Sequence, residues 1–263
     1  MRVKRLVACV AAAAITKQSS AWGQRGIAAR QIGHLGDLRM ALNSQVNTLF
    51  DKVVFPETWP FSPADFKRLD ESSDSIFYSS ERFVTHIDDN AINALTKYYS
   101  TAIKPDSSVL DICSSWVSHY PKGLKLGRVA GLGMNLQELR ANKQLTEFAA
   151  KDLNVYPIFP YADNSFDYVT CVVSVDYLTR PLEVFSEINR VLKPGGTAIF
   201  SQSNRCFQTK AIDIWLKTND IQHLFIIGCY FHYAGKFTRP KAIDISPGPF
   251  SDPMFIVEAS KVN

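Results

Sequence analysis

The sequence predicts an α/β fold with a mostly parallel sheet, and residues 163–203 predict it most clearly. Residues 168–173 form a short apolar and β-branched run that is typical of a buried strand. Apolar residues then recur over 178–192 at spacings of three and four, as on one face of a helix. Pro194 cannot continue that helix, and the two glycines after it supply a turn into a second strand at 197–201. Together these elements form a parallel βαβ unit, and such sheets bind ligands at the carboxyl ends of their strands.

The first 40 residues are predicted to be a targeting presequence. Residues 1–21 contain a basic start, an apolar core (LVACVAAAAI) and a small-residue cleavage site, as in a signal peptide. This apolar core is too short to cross a bilayer of ~30 Å as a helix. Residues 22–40 carry three arginines against a single acid, which is typical of a transit peptide. The combination resembles the bipartite presequences of algae with secondary plastids, so a plastid is the predicted location; secretion and mitochondrial import stay open.

Residues 41–80 are predicted to be a loop-rich N-terminal extension, because they are rich in proline and aromatic residues and lack sustained periodicity. One short helix is expected at 63–69. Such a segment can cover an active site or pack on the sheet edge, and the sequence leaves both open. The main domain is predicted to span 81–263 and to begin with an amphipathic helix at 81–103. A histidine and two acids at 86–89 can cap this helix or reach a ligand.

Further strands are predicted on both sides of the βαβ unit. Residues 108–113 (SVLDIC), 127–132 (GRVAGL) and 146–152 are strand-like, with a helix expected at 136–145. Near the C-terminus, two helices are expected at 212–216 and 221–234. The second is apolar nearly all round, which predicts burial, and it is too short and polar at its ends to span a membrane. Two final strands, at 237–245 and 254–260, flank a loop rich in turn-forming residues.

Charge and cysteine content exclude several classes of function. The formal net charge of +4 comes from four basic residues within positions 1–21, which hold no acid, so the remaining chain is balanced. A balanced chain offers no electrostatic case for nucleic-acid binding. The five cysteines form no C-x-x-C pair, so buried free thiols are expected. There is also no P-loop, no metal-ligand spacing and no internal repeat.

Two stretches carry a family resemblance. FPYADNSFDYVTCVV and EINRVLKPGGTAIFS resemble the C-terminal half of class I S-adenosylmethionine-dependent methyltransferases of the methyltransferase type 11 group. The resemblance extends from about residue 80 to residue 261. It implies a Rossmann-like fold with a mostly parallel seven-stranded sheet and helices on both faces. It further implies S-adenosyl-L-methionine as cofactor.

The resemblance places a cofactor loop directly after the first strand, where the family usually has D-x-G-x-G-x-G. Glycines there let the backbone approach the cofactor closely. Asp111 matches the motif, but Cys113, Ser115 and Val117 stand where the three glycines are expected. Small polar residues can still hold a ligand, so Asp111, Cys113, Ser114 and Ser115 are predicted to bind the cofactor. The whole segment, DICSSWVSHYP, resembles that of a plant and algal subgroup of methyltransferase-like proteins.

The resemblance also implies an acid at the end of the second strand, where its carboxylate accepts hydrogen bonds from the ribose hydroxyls. Gly133 occupies that position here. Met134 and Asn135 follow it and are predicted to contact the cofactor, although capping of the next helix is the favoured role of Asn135. At the end of the third strand, Asp152 and Leu153 match the acid and apolar residue that hold the adenine in the family.

No catalytic residue is assigned from the sequence. Asp176 follows the fourth strand, so it could accept a proton from an acceptor or cap the next helix. Methyl transfer from a sulfonium often needs only proximity and in-line orientation, so a missing base is no objection. Arg205 follows the fifth strand and could bind an acidic substrate group, or form a surface ion pair as most such arginines do.

The predicted function is methyl transfer to a small-molecule or protein acceptor within an organelle. No nucleic-acid partner and no transmembrane segment are expected. A catalytically inactive methyltransferase-like scaffold or assembly factor is the alternative. The missing glycines and the missing ribose acid favour that alternative, since a fold can outlive its function.

Overall fold

The computed structural model describes residues 43–263. The predicted signal peptide, residues 1–21, and the predicted transit segment, residues 22–40, lie outside the described residues. Within 43–263, none of the helices has both the length and the apolar character needed to cross a membrane.

The fold is built on a seven-stranded sheet. Its strands are β1 (Ser108–Ile112), β2 (Arg128–Gly133), β3 (Glu147–Ala150), β4 (Phe166–Val172), β5 (Leu192–Gln202), β6 (Lys241–Asp244) and β7 (Phe255–Ser260). Their order across the sheet is β3-β2-β1-β4-β5-β7-β6. The first five strands run parallel, and β7 runs antiparallel to both of its neighbours. The predicted Rossmann-like, mostly parallel seven-stranded sheet is therefore confirmed.

Residues 43–47 are helical, and seven further helices follow them in the described chain. They are α1 (Leu49–Lys52), α2 (Asp74–Phe77), α3 (Asp89–Ala102), α4 (Leu136–Ala141), α5 (Pro181–Val191), α6 (Asp213–Leu216) and α7 (Asp220–Ala234), with 3-10 turns at Pro63–Phe66 and Val175–Tyr177. The helix predicted at 81–103 begins eight residues late. Asp88 has an extended backbone and its side chain accepts a hydrogen bond from the Ala91 amide at 2.8 Å, which fixes the helix start there.

The sheet is covered on both faces because successive strand residues point to opposite sides. On one face, α3 packs through Leu95 and Tyr99 against Val109 of β1. On the other face, α5 and α7 pack against Leu110 and the alternate residues of the neighbouring strands. The inner parallel strands β1 and β2 are thus buried on both sides, which explains their nearly continuous apolar sequences, whereas the edge strand β3 is mostly exposed.

The turn between α5 and β5 has the predicted form. Gly195 has φ +75°, a left-handed conformation that glycine adopts without steric cost. Phe166 pairs with Leu192 and Tyr168 pairs with Thr197, so the four residues between the two paired positions of β5 bulge out of the ladder. The bulge lets the chain leave α5 and enter the sheet directly.

The N-terminal segment before α3, residues 43–87, contacts both the sheet edge and the strand ends, the two places that the sequence left open. At the sheet edge α1 lies against β6, and the Asp244 amide donates to Asn47 Oδ1 at 3.3 Å. Its first part packs on α7: Trp59 and Phe66 stack with ring centroids 6.0 Å apart, and Trp59 lies edge-on to Tyr233 at 5.4 Å. Its second part, residues 74–87, crosses the carboxyl ends of the parallel strands and lines a cavity there.

Candidate functional site

A cavity of about 520 Å³ lies at the carboxyl ends of the five parallel strands β1 to β5. Its walls come from the loops after these strands and from residues 74–87 of the N-terminal segment. All eight residues predicted to bind the cofactor line it, namely Asp111, Cys113, Ser114, Ser115, Met134, Asn135, Asp152 and Leu153. The fold therefore brings together, from three different loops, the residues that the family resemblance selected.

Asp111 holds the loop that follows β1. Its buried carboxylate accepts hydrogen bonds from the hydroxyls of Ser114 and Ser118, both at 2.7 Å, and of Thr170 at 3.1 Å. Burial raises the pKa of Asp111 to about 6, although these three hydroxyls act in the opposite direction. We conclude that Asp111 shapes the cavity wall by fixing the loop.

The loop without glycines has a defined conformation. Cys113 has φ +52°, a left-handed conformation that glycine usually supplies and that is strained for cysteine. The Ser114 amide donates to the Leu132 carbonyl at 2.9 Å, and the Trp116 indole donates to the Val84 carbonyl at 3.0 Å. The loop is therefore tied to β2 on one side and to the N-terminal segment on the other.

Gly133 cannot carry the acid that the family resemblance implies at this position. A Cβ atom on Gly133 would lie 2.1 Å from the carbonyl oxygen of Ser114, which is far inside contact distance. The Cys113–Ser115 loop therefore fills the space beside the end of β2 that the side chain of the family's acid would need.

Asn135 caps α4, as the sequence favoured. Its Oδ1 accepts from the amides of Gln137 and Glu138, at 2.8 and 3.1 Å. Its Nδ2 donates to the carbonyl of Tyr78 at 3.0 Å and so ties α4 to the N-terminal segment. With these three contacts, Asn135 is committed to structure.

Asp152 and Leu153 lie where the family resemblance places them, after β3. Asp152 Oδ1 accepts from the amides of Asn154 and Val155, at 2.9 and 3.2 Å, so this carboxylate also closes a turn. Leu153 is buried and offers an apolar surface to the cavity. An acid beside an apolar side chain suits a heteroaromatic ring that carries an amino group.

Sequence reasoning missed Arg82 on the opposite wall of the cavity, although it considered His86 as a residue that could reach a ligand. The Arg82 guanidinium lies 4.5 Å from the ring centroid of Phe77 and 5.7 Å from that of Phe207. His86 lies edge-on to Phe207 at 5.1 Å, and burial lowers the pKa of its imidazole while Glu138 acts in the opposite direction. These side chains come from two distant segments, so no local spacing signals their meeting.

A buried ionic network anchors residues 68–78 above the cavity. Arg68 Nη1 contacts both carboxylate oxygens of Asp74, at 2.6 and 2.7 Å. Lys210, fully buried after β5, reaches Asp70 at 3.0 Å and Asp74 at 3.3 Å. Burial alone would raise the pKa of Asp74, but the hydrogen bonds from Arg68 and Asn154 outweigh it and the pKa is lowered. The wall is thus held as a fixed part of the fold.

Neither role considered for Asp176 from the sequence is supported. The next helix begins at Pro181 and Arg180 occupies its N-cap position, so Asp176 is not the cap. Asp176 is buried within the 3-10 turn Val175–Tyr177 and is not among the residues that line the cavity. Burial raises its pKa to about 8, and its Oδ2 has no hydrogen-bond partner among the described residues. Arg205 pairs with Asp252 at 3.7 Å, as expected for a surface arginine, but it also lines the cavity, so a role in binding an acidic substrate group stays open.

Among residues 43–263, no cluster of histidine, cysteine, aspartate or glutamate side chains is arranged to hold a metal ion.

Comparison with known proteins gives a consistent result. Residues 112–200 match the family model described as "Methyltransferase domain". A demethylmenaquinone methyltransferase of Bacillus mycoides is 31% identical over 114 residues, which cover 39% of this chain and 47% of that protein. The enzyme of the same name from Staphylococcus carnosus is 31% identical over 119 residues, covering 40% and 47%. The chain thus spans about half the length of these curated relatives.

One solved structure shows the same fold. It is a chain of a complex that contains the Haloferax volcanii Trm112 methyltransferase activator, with a TM-score of 0.50 and 15% identity. The match covers 66% of this chain and 91% of that one. This likeness shows the fold, and the family match identifies residues 112–200 as a methyltransferase domain.

Proposed function

We propose that the protein is an S-adenosylmethionine-dependent methyltransferase that acts on a small-molecule acceptor. One observation carries the proposal: a single cavity at the strand ends gathers all eight side chains that the family resemblance assigns to the cofactor. The match of residues 112–200 to a methyltransferase domain supports the same reaction.

The residues of the cavity fit S-adenosylmethionine in chemistry. Asp152 and Leu153 suit the adenine, and the carboxylates of the lining suit a cofactor with a positively charged sulfonium. When bound, the cofactor supplies an electrophilic methyl group. The chain's own contribution is to hold both reactants in line and to exclude water with residues 74–87.

Two observations support a small molecule over a protein as the acceptor. Residues 74–87 wall the cavity opposite the strand ends, and aromatic side chains such as Tyr78 and Phe207 line that wall. Such a concave, partly apolar site is typical of small-molecule binding. The relatives named demethylmenaquinone methyltransferase point in the same direction.

The alternative is an inactive scaffold with the same fold, and the loop geometry favours it. Cys113 and Ser115 occupy positions of the cofactor motif where glycine is usual, and the family's ribose acid has no room at Gly133. A scaffold would have no affinity for the cofactor and would copurify with a protein partner.

Asp152→Asn tests the assignment of the adenine site. The asparagine oxygen can keep both hydrogen bonds to the turn, whereas its NH2 group replaces the second carboxylate oxygen and repels an amino group of a bound ring. We expect affinity for S-adenosylhomocysteine to fall about tenfold or more, measured by calorimetry, with an unchanged melting temperature. Asp163→Asn, at an exposed acid outside the cavity, is the matched control.

Equal affinity of Asp152→Asn and the unmodified protein would remove Asp152 from the site. The acceptor is tested separately by incubation with methyl-labelled S-adenosylmethionine and an organelle extract. Label in the solvent-soluble fraction supports a small-molecule acceptor, and label that stays in the protein fraction contradicts it.

Location in a secondary plastid belongs to the proposal and rests on residues 1–40 alone. A fusion of these residues to a fluorescent protein, expressed in an alga with a secondary plastid, tests it. Plastid fluorescence supports the proposal, whereas fluorescence in the medium or in mitochondria supports one of the two alternatives.

A further inference from the structure

Glu138 is a buried carboxylate of the cavity that the cofactor motif does not predict. It lies in the first turn of α4 and lines the cavity, and only 7% of its surface is accessible to solvent. Its Oε1 accepts from the Arg82 amide at 2.8 Å, and its Oε2 accepts from the Ser115 hydroxyl at 2.6 Å. A carboxylate oxygen has two lone pairs, so each oxygen can accept one further hydrogen bond.

The other carboxylates that line the cavity are committed elsewhere. Asp74 is paired with Arg68 and Lys210. Asp111 accepts three hydroxyl hydrogen bonds from its own loop and from β4. Asp152 closes the turn after β3 through Oδ1, and the proposed function assigns this carboxylate to the adenine. Glu138 differs from these three carboxylates in two respects. It lies near the end of β2, and each of its two oxygens accepts a single hydrogen bond from the described chain.

The strand order places Glu138 opposite the middle of the cofactor. β2 lies between β3 and β1 in the sheet. If Asp152, after β3, holds the adenine and the loop after β1 holds the amino-acid end, the covalent structure of S-adenosylmethionine puts the ribose over β2. The ribose presents two vicinal hydroxyls, which match the two oxygens of one carboxylate.

We propose that Glu138 binds the ribose diol of S-adenosylmethionine, in place of the acid that Gly133 excludes. The inference rests on the proposed function. Ser115, which stands where the family usually has a glycine, then gains a role: its hydroxyl orients Glu138 through the 2.6 Å hydrogen bond. The loop that blocks the usual acid thus positions its replacement.

The test compares two ligands on four proteins by calorimetry. The ligands are S-adenosylhomocysteine and its 2′,3′-dideoxy analogue, and the proteins are the unmodified full chain, Glu138→Gln, Glu138→Asp and the control Glu147→Gln. Glu147 lies on β3 outside the cavity and pairs with Arg128. Melting temperatures show that each variant is folded, and Glu138→Asp, which withdraws the carboxylate by one methylene, serves as a second variant.

We expect Glu138→Gln to bind S-adenosylhomocysteine about tenfold to hundredfold more weakly, as for a lost hydrogen bond to a charged group. The dideoxy analogue should bind both proteins with similar affinity, because it lacks the hydroxyls that Glu138 contacts. The control Glu147→Gln should behave as the unmodified chain with both ligands.

Two outcomes would overturn the inference while leaving the proposed function intact. One is unchanged affinity of Glu138→Gln for S-adenosylhomocysteine. The other is an equal loss for both ligands, which would mean that Glu138 acts only by holding Arg82 and Ser115 in place. Failure of the unmodified protein to bind S-adenosylhomocysteine would instead overturn the proposed function, and the role of Glu138 with it.

Discussion

Gly133→Ala tests whether the Cys113–Ser115 loop leaves no room for a side chain at the end of β2. The added Cβ would lie 2.1 Å from the Ser114 carbonyl oxygen, so that oxygen would have to retreat by about 1.3 Å to reach an ordinary contact of 3.4 Å. The Ser114 backbone cannot move freely, because its amide donates to the Leu132 carbonyl and its hydroxyl donates to Asp111. We therefore expect a loss near the upper end of the overpacking range, about 3 kcal/mol in the free energy of unfolding.

A loss of this size corresponds to a fall of roughly 6–12 °C in melting temperature for a chain of this length, measurable by calorimetry and by urea denaturation. Gly123→Ala is the matched control, since no atom of the described chain lies within 4 Å of its Cβ position. The control should change stability by less than about 0.5 kcal/mol. Equal stability of Gly133→Ala and the unmodified protein would refute the explanation for the missing acid.

Two further predictions concern buried charges. Lys210→Met should lower the free energy of unfolding by about 3 kcal/mol in urea denaturation, because the buried Asp74 loses one of its two cationic partners. A loss under about 1 kcal/mol would mean that the ionic network does not hold the cavity wall. Asp176 is neutral in the folded protein near neutral pH, since burial raises its pKa to about 8, but it ionises near pH 4 in the unfolded chain. Its contribution to stability is therefore present in acid and is lost as the pH rises to about 8, by up to 1.4 kcal/mol per pH unit. Asp176→Asn should remove this dependence in urea denaturation between about pH 5 and pH 8, and an unchanged slope would contradict the assignment.

The sheet could be predicted because its signals are local. The strand β4, the helix α5 and the turn at Gly195 follow one another within residues 163–203, and each leaves a mark on the sequence near itself. The eight predicted cofactor residues meet in one cavity for a related reason. Parallel strands bring their carboxyl ends to one edge of the sheet, so the loops after β1, β2 and β3 must be neighbours.

The opposite wall could not be predicted because it depends on contacts between distant segments. Arg82 and Glu138 are 56 residues apart, and their hydrogen bond joins the N-terminal segment to α4. The start of α3 was missed for a similar reason. Residues 81–88 have apolar residues at a spacing compatible with a helix. In the structure this stretch lines the cavity instead, and the Val84 carbonyl accepts a hydrogen bond from the Trp116 indole. Likewise, the conflict between Gly133 and Ser114 exists only across the gap between two strand ends.

Calorimetric titration of the full chain with S-adenosylmethionine and with S-adenosylhomocysteine tests whether the cavity is a cofactor site. We expect saturable binding of both ligands at one site per chain, with affinity in the micromolar range typical of enzyme substrates. Absence of binding to a sample with a cooperative melting transition would contradict the methyltransferase proposal and favour the scaffold.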